Sequence, residues 1–247
     1  MHNRGIPKTG VTDKKFGGRR RVDMKVTWLG QGGLMFETGG KIILVDPYLS
    51  DSVEKLQPQN KRRVQVKQEF LQVKPDIILL THDHLDHTDP ETLCHYLNEE
   101  SSVLVLASYN AWQIARKLGG LKNNYTMFDR KSRWTEGELV FEAVHAEHSD
   151  LHAVGIVLRA EGKTFYITGD TLYNERVFAD LPGKIDYVFL PVNGRGNNMN
   201  MTDGKAFCER LGATAIPLHC GLFDDLDLHD FAYEDKIVPA FFEEIKL

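Results

Sequence analysis

The sequence predicts an α/β fold made of two β-rich halves whose sheets face each other, with helices outside. Short apolar runs typical of strands alternate with helix-like segments in both halves of the chain. A length of 247 residues lies in the range of one large domain. No linker or low-complexity segment interrupts residues 24–247, so we predict that they form a single domain.

The first half begins with β structure. Residues 24–30 (MKVTWLG) alternate as a strand does, and two glycines that favour a tight hairpin separate the strands LMFET and KIILVDP. Residues 51–70 show little periodicity and are predicted to be a surface excursion. Residues 74–81 (KPDIILLT) are predicted to be a short buried strand.

Helices and strands then alternate along the chain. Asp89 as N-cap, Pro90 at the first helical position and Glu91 in the first turn predict a helix start. Gly119 is predicted to end the next helix, YNAWQIARKLG. Further strands are predicted in SVLVLAS, YTMFD, LVFEAVHA, AVGIVLRA, KTFYITGD, DYVFLPV and ATAIPLHCG, and further helices in YNERVFADL and MTDGKAFCERLG.

The charge distribution separates a basic terminus from an acidic body. The net charge is −5, but residues 1–25 carry +6 and the remainder −11. Residues 1–23 lack the apolar segment of a secretory signal, and we predict a flexible basic extension, with a solvated tail favoured over a nucleic-acid-binding arm. The acidic body argues against a nucleic acid partner.

Two compositional features bear on location. No apolar run approaches the roughly 18 residues that span a bilayer, so no membrane association is expected. The three cysteines are an odd number without paired spacing, which favours a reducing compartment, and we expect a cytoplasmic protein. The sequence leaves the oligomeric state open, a homo-oligomer included.

The segment THDHLDH, residues 81–87, follows the predicted buried strand and is dense in histidine and aspartate. A single histidine here would be read as an exposed turn residue. However, His82 and His84 project to the same side of an extended chain, and Asp86 and His87 follow on the turn. Imidazole and carboxylate groups bind zinc, manganese and iron, so the segment predicts a metal-binding loop.

Later segments supply further candidate ligands near predicted strand ends. His145 and His148 lie in AVHAEHSD, Asp170 in YITGD, and His219 in IPLHCG. Loops at one edge of the sheets would bring these side chains to the first loop. The chain therefore has enough ligands for two metal ions.

In this order the motifs resemble the metallo-β-lactamase superfamily, whose His-x-His-x-Asp-His series and later His, Asp and His are similar to HDHLDH, His148, Asp170 and His219. WLGQGG, DPYLSD, THDHLDHTDP, AEHSD, GDT and NGR resemble its L-ascorbate-6-phosphate lactonase-like branch over about residues 24–221. The resemblance implies an αβ/βα four-layer sandwich, in which two mixed β-sheets face each other with helices outside.

The resemblance also implies a ligand set for two ions. One ion would take His82, His84 and His148. The other would take Asp86, His87 and His219, with Asp170 bridging. It implies that Asp86 and Asp170 are the catalytic carboxylates, and that Asp46 supports the metal loop without binding metal. His145 is expected to be a neighbour of the site.

The implied activity is that of a metal-dependent hydrolase. Two divalent ions, zinc or manganese, would provide a dinuclear metal-bound hydroxide that opens a lactone or cleaves a related ester bond. The loop PVNGRGNNMNMTD holds candidate substrate-binding residues: Asn193, Arg195, Asn197 and Asn198. Arg195 has a planar fork suited to carboxylate or phosphate, which favours a small anionic, phosphorylated substrate.

Three other functions stay open at this point. A phosphodiesterase, of phospholipase or nuclease type, uses the same metal chemistry, although the acidic body disfavours a nuclease. A non-catalytic metal-binding protein would have saturated coordination. A di-iron redox role is disfavoured because no flavin-binding domain follows.

Overall fold

The computed structural model describes residues 24–247. The predicted basic extension, residues 1–23, lies outside the described residues. The strands are β1 (Lys25–Gly30), β2 (Gly33–Thr38), β3 (Lys41–Val45), β4 (Ile77–Leu80), β5 (Leu104–Ala107), β6 (Asn124–Met127), β7 (Arg133–Glu136), β8 (Leu139–His145), β9 (Val154–Ala160), β10 (Lys163–Ile167), β11 (Tyr187–Pro191), β12 (Thr214–Leu218) and β13 (Glu244–Ile245).

These strands form two mixed sheets. The first has seven strands in the order β13-β1-β2-β3-β4-β5-β6, and the second has six in the order β12-β11-β10-β9-β8-β7. Strands β3 to β6 are parallel to one another, as are β10 to β12, and the other pairs are antiparallel.

The main core lies between the sheets. Phe36 of the first sheet meets Phe165 and Phe189 of the second edge-on, with ring centroids 6.0 and 5.7 Å apart. The α-helices are α1 (Ser52–Leu56), α2 (Pro90–Tyr96), α3 (Tyr109–Ala115) and α4 (Met201–Leu211). Buried residues of α2 and α3 cover the outer face of the first sheet, and Phe207 of α4 packs near Tyr166 of the second. The predicted fold class is confirmed.

Local sequence signals explain several of these boundaries. The β2–β3 hairpin turns at Gly39 and Gly40, whose φ angles of +59° and +72° suit glycine. The side chain of Asp89 accepts hydrogen bonds from the backbone N–H groups of Glu91 and Thr92, so the predicted start of α2 is confirmed.

The structure corrects four details of the prediction. The segment predicted as the helix YNERVFADL is a 3₁₀ helix, Glu175–Asp180. Helix α3 ends at Ala115, before Gly119. Strands β7 and β13 were not predicted. Residues 51–70 are mostly exposed or half-buried, as expected of a surface excursion, but they contain regular structure that was not predicted: α1, the 3₁₀ turn Pro58–Asn60 and the start of the 3₁₀ turn Gln68–Gln72.

Two further observations concern the predicted location. Within residues 24–247, no helix combines the length and the apolar character needed to cross a bilayer. Cys94, Cys208 and Cys220 are all free thiols.

Candidate metal centre

The candidate ligands, and Asp46 that supports them, follow the ends of strands in both sheets. Asp46 follows β3, the loop with His82 and His87 follows β4, and His219 follows β12. The backbone N–H of Asp46 donates to the carbonyl of Leu79 on the neighbouring strand at 3.0 Å. Because the carboxyl ends of parallel strands meet at one edge of a sheet, Asp46 and the loop after β4 lie together. His219 comes to them from the facing sheet.

The loop after β4 is closed on itself. The backbone N–H groups of His87 and Thr88 donate to the carbonyl of His84 at 3.0 and 2.8 Å. The Thr88 hydroxyl donates to the carbonyl of His82 at 2.6 Å. These bonds hold the loop in a tight turn and direct its imidazoles toward the second sheet.

One group of candidate ligands gathers around three imidazoles. The rings of His82, His84 and His148 have centroids 4.4 to 4.7 Å apart. A carboxylate oxygen of Asp170 joins them, and the four possible ligand atoms all lie within 4.8 Å of one another. This spacing fits donors that share one cation.

A second group lies beside the first. The Nε2 atoms of His87 and His219 are 3.1 Å apart, and Asp86 Oδ2 is 3.6 Å from His219 Nε2. Asp170 Oδ1 lies 3.2 Å from His87 Nε2 and 3.3 Å from His219 Nε2. Asp170 therefore contacts both groups, and the structure brings all seven predicted ligands together.

Asp46 lies behind the cluster and is buried. Its Oδ1 accepts from the backbone N–H of Thr81 at 2.8 Å, and its Oδ2 accepts from the Thr81 hydroxyl at 2.5 Å and from His87 Nδ1 at 2.9 Å. Although Asp46 lies close enough to His82 and His87 to be counted with them as ligands, both its oxygens are already engaged. Its contacts are those of a supporting residue.

This network also orients His82. Because the Thr81 hydroxyl donates to Asp46, it accepts from His82 Nδ1, 2.9 Å away. The proton on Nδ1 leaves the Nε2 lone pair of His82 pointing into the cluster. Such an outer hydrogen bond commonly fixes the tautomer of a metal-binding histidine.

Three polar atoms in the cluster are buried without a hydrogen-bond partner among the described residues: His82 Nε2, His148 Nε2 and Asp170 Oδ1. Leaving a buried polar atom unsatisfied costs about 1–3 kcal/mol. A cation bound between them would satisfy these atoms, so the donor set fits divalent metal ions.

The electrostatics match this donor set. Burial, and then the neighbouring His84, lower the pKa of His148 to about 4. Burial and the positive charge of His87 lower the pKa of His82 well below its ordinary value. Burial acts to raise the pKa of Asp170, but His219 and His87 hold it well below its ordinary value. Burial acts to lower the pKa of His87, but Asp170 and Asp46 raise it well above its ordinary value. His82 and His148, as neutral imidazoles beside an ionised carboxylate, are ready to bind a cation, and an ion held by His87 Nε2 would displace the proton there.

Gly32 leaves room for the His87 ring, which yields a prediction. The backbone of Gly32 is not in the left-handed region, so alanine would not strain it, but a Cβ on Gly32 would lie 2.6 Å from His87 Cε1. We expect Gly32→Ala to displace the ring and to weaken metal binding about tenfold or more. Metal content after dialysis, measured by plasma mass spectrometry, checks this. Gly183→Ala, where a Cβ meets nothing within 4 Å, is the control, and equal metal content in both variants would contradict the expectation.

The cluster opens into a cleft of about 410 Å³, a volume typical of small-molecule sites. Its lining includes all four residues predicted to bind substrate: Asn193, Arg195, Asn197 and Asn198. The Arg195 side chain is 54% exposed and its Nε lies 3.7 Å from Asp224 Oδ2. The guanidinium is therefore accessible and partly neutralised.

The asparagines differ in how free they are. Asn193 Nδ2 lies 3.2 Å from His219 Nδ1, and its Oδ1 accepts from Asn198 Nδ2. Asn197 accepts from the backbone N–H of Ser149 and donates to the Ser149 hydroxyl. Asn197 thus fastens the substrate loop to the loop of His148.

The sequence prediction missed Gln31. Its Nε2 lies 3.0 Å from Asp86 Oδ2, to which it donates, and 3.1 Å from His219 Nδ1. Its φ is +47°, and its carbonyl accepts from the Trp28 indole N–H at 3.0 Å. The available signal was its position between glycines at the end of a predicted strand.

His145, expected to be a neighbour, lies outside both ligand groups and contacts Glu147 at 3.3 Å.

Comparison with known proteins agrees with this geometry. A family model described as a beta-lactamase superfamily domain matches residues 41–222. The chain belongs to the metallo-β-lactamase superfamily. It also belongs to the UPF0173 metal-dependent hydrolases, because it is 30% identical over 226 residues to one from Shouchella clausii (strain KSM-K16), with 84% of this chain and 91% of the relative covered.

Another UPF0173 metal-dependent hydrolase, from Geobacillus thermodenitrificans (strain NG80-2), is 29% identical over 81% of this chain and 87% of its own. Two solved structures share the superfamily fold. An isothiocyanate hydrolase from Delia radicum gut bacteria is 19% identical with a TM-score of 0.70, covering 90% of this chain and 99% of its own. Igni18, a metallo hydrolase from Ignicoccus hospitalis, is 17% identical with a TM-score of 0.66, covering 84% and 88%.

Proposed function

We propose that this metal-dependent hydrolase uses two divalent ions, zinc or manganese, to open a lactone or cleave a related ester of a small anionic substrate. The observation that carries the proposal is that Asp170 belongs to both ligand groups. Its Oδ1 lies 3.2 and 3.3 Å from the Nε2 atoms of His87 and His219, and one of its carboxylate oxygens lies within 4.8 Å of ligand atoms of His82, His84 and His148. When bound, such ions supply Lewis-acid charge and lower the pKa of water, so that water attacks at neutral pH.

The chain's own residues hold and orient this site. Asp86 and Asp170, the proposed catalytic carboxylates, line the cleft and lie within reach of a substrate there. Gln31 donates to Asp86 and thereby fixes the direction of its carboxylate. Asp46 holds His87 through Nδ1, which leaves Nε2 directed at the cluster.

The cleft supports catalysis over a purely structural metal site. His84, Asp86, Asp170 and His219 all line it, so a small molecule in the cleft would reach the ligand groups directly. A structural site is usually closed by protein ligands on every side. This opening is the reason to prefer a hydrolase to a non-catalytic metal-binding protein.

Arg195 is proposed to bind the anionic group of the substrate. Removing it should raise the KM for a phosphorylated lactone about tenfold, because a hydrogen-bonded ion pair contributes roughly 1.5–3 kcal/mol. Steady-state kinetics of Arg195→Ala with phosphorylated and unphosphorylated forms of one sugar lactone checks this. Arg133→Ala is a matched control, since Arg133 also lies 3.7 Å from a carboxylate, that of Glu142. Equal KM values in Arg195→Ala and wild type would remove the phosphate from the proposal.

The proposed activity is tested by loading metal-free protein separately with zinc and with manganese. Each form is assayed against sugar-phosphate lactones, acyl-lactones, simple esters and phosphodiesters. Lactone or ester turnover that a chelator abolishes supports the proposal, and turnover of phosphodiesters alone would replace it by a phosphodiesterase. Full activity of the metal-free protein would overturn it. Membership of the lactonase-like branch, a cytoplasmic location and a homo-oligomer stay predictions.

A further inference from the structure

The lining of the cleft has an apolar part that the proposed chemistry does not use. Val53, Leu56, Leu85 and Phe223 line the cleft together with the metal-site residues. Val53 belongs to a small hydrophobic cluster against which Leu85 and Phe223 pack. We call these four residues the apolar wall.

One side of helix α1, and the turn after the helix, face the cleft. Val53, Leu56, Gln57 and Asn60 line it. Val53 and Leu56 are three residues apart in α1, which puts them on one face of the helix, and Gln57 and Asn60 belong to the turn that follows. The charged residues between them are engaged elsewhere. Glu54 pairs with Lys61 at 3.9 Å, and Lys55 pairs with Glu91 of α2 at 2.6 Å. The side of α1 turned to the cleft is therefore the uncharged one.

The apolar wall has a rigid support. Tyr48 is fully buried, its hydroxyl accepts from the backbone N–H of Val53 at 3.3 Å, and its ring meets Phe223 edge-on at 5.7 Å. The buried guanidinium of Arg62 donates to the carbonyls of Tyr48 and Ser50 at 2.8 and 3.1 Å. Because these groups are packed and hydrogen-bonded, Val53 and Phe223 are held in place before a ligand arrives.

The wall begins at the metal site itself. Leu85 stands in the chain between His84 and Asp86, and all three line the cleft. At its far end Leu56 is 75% exposed. A single exposed leucine is ordinary on a protein surface, but here it lines the same cleft as Leu85, which stands beside the reacting groups.

We propose that the substrate carries an aliphatic or aromatic arm next to its reacting carbonyl, and that this arm packs on the apolar wall. The inference rests on the proposed function and narrows its substrate class: an ester or lactone with an apolar arm in addition to its anionic group. A substrate of this kind gains affinity with every methylene that leaves water, by up to about fourfold each.

Two measurements test the apolar wall. The first is kcat/KM of the metal-loaded enzyme for para-nitrophenyl acetate, butyrate and hexanoate. The second is calorimetric binding of acetate, butyrate and hexanoate to the same protein, which requires no turnover. In the wild type, kcat/KM and affinity should both rise about tenfold or more from acetyl to hexanoyl. In Leu56→Ser and Phe223→Ala the increase in kcat/KM and in affinity from acetyl to hexanoyl should fall to about threefold or less.

The matched control is Leu121→Ser, since Leu121 is 96% exposed and outside the cleft lining, and its rise should equal that of the wild type. Chain-length-independent turnover and binding would overturn the apolar wall and leave the proposed hydrolase standing. A different outcome would defeat the proposed hydrolase but support the apolar wall. In it the protein turns over none of the esters, yet it binds hexanoate more tightly than acetate, and Leu56→Ser loses this preference.

Discussion

Asp170→Asn is expected to abolish hydrolysis, with a loss of about a thousandfold or more in kcat/KM. The carboxylate lies between the two ligand groups, 3.2 Å from His87 Nε2 and 3.3 Å from His219 Nε2. An amide has nearly the same shape but no charge, so it can neither neutralise nor bridge the two cations proposed for this site. The structural cost should be small, because only the atoms that face the site change.

The measurement pairs kinetics with metal content. Asp170→Asn should retain less metal than the wild type after dialysis against a weak chelator, and excess zinc or manganese should not restore activity. Asp225→Asn is the control: Asp225 is exposed and absent from the cleft lining, so both readouts should match the wild type. An Asp170→Asn enzyme with more than a tenth of wild-type activity would show that Asp170 does not hold the reacting site.

The positions of the candidate ligands were predictable because they follow recognisable strands. An apolar run such as residues 77–80 predicts a buried strand, and His82 and His87 come directly after it. Asp170 and His219 follow two further strands of this kind. β10 and β12 belong to one parallel set and β4 to the facing sheet. The carboxyl ends of parallel strands meet at one edge of each sheet, so convergence within a sheet follows from topology. The meeting of the two edges depends on how the sheets pack, which the strand pattern alone does not give.

The cleft wall was not predictable in this way. Helix α1 has five residues, too few to reveal a helical period in the sequence. Its orientation depends on Tyr48 and Arg62, whose contacts arise only in the folded chain. Gln31 and Asp86 are 55 residues apart, and no local pattern links them. The pattern of residues 173–181 was helical, but it does not distinguish a 3₁₀ helix from an α-helix.

The second large effect is expected at Asp46, which touches no substrate. The residue has a φ of +42°, a region that asparagine tolerates, so Asp46→Asn should not strain the backbone. The amide, however, replaces one oxygen by an NH₂ group. The NH₂ group can take the position of either oxygen. In one orientation it faces the backbone N–H of Thr81, and in the other it faces the Thr81 hydroxyl and His87 Nδ1. In both, a donor meets a donor instead of an acceptor.

We therefore expect Asp46→Asn to weaken metal binding about 10–100-fold, because His87 loses the partner that fixes its tautomer. The metal-free protein should lose about 2–4 kcal/mol of unfolding free energy, since buried donors are left unsatisfied. Competition with a chromophoric chelator measures the first effect and urea unfolding in a chelator the second. Asp76→Asn is the control. Asp76 also accepts a hydrogen bond from a backbone N–H, that of Ile42, but Asp76 precedes β4, whereas the metal-binding loop follows it. Asp76→Asn should lower the free energy of unfolding without changing the metal affinity. Equal metal affinity in Asp46→Asn and Asp76→Asn would show that Asp46 stabilises the fold and does not tune His87.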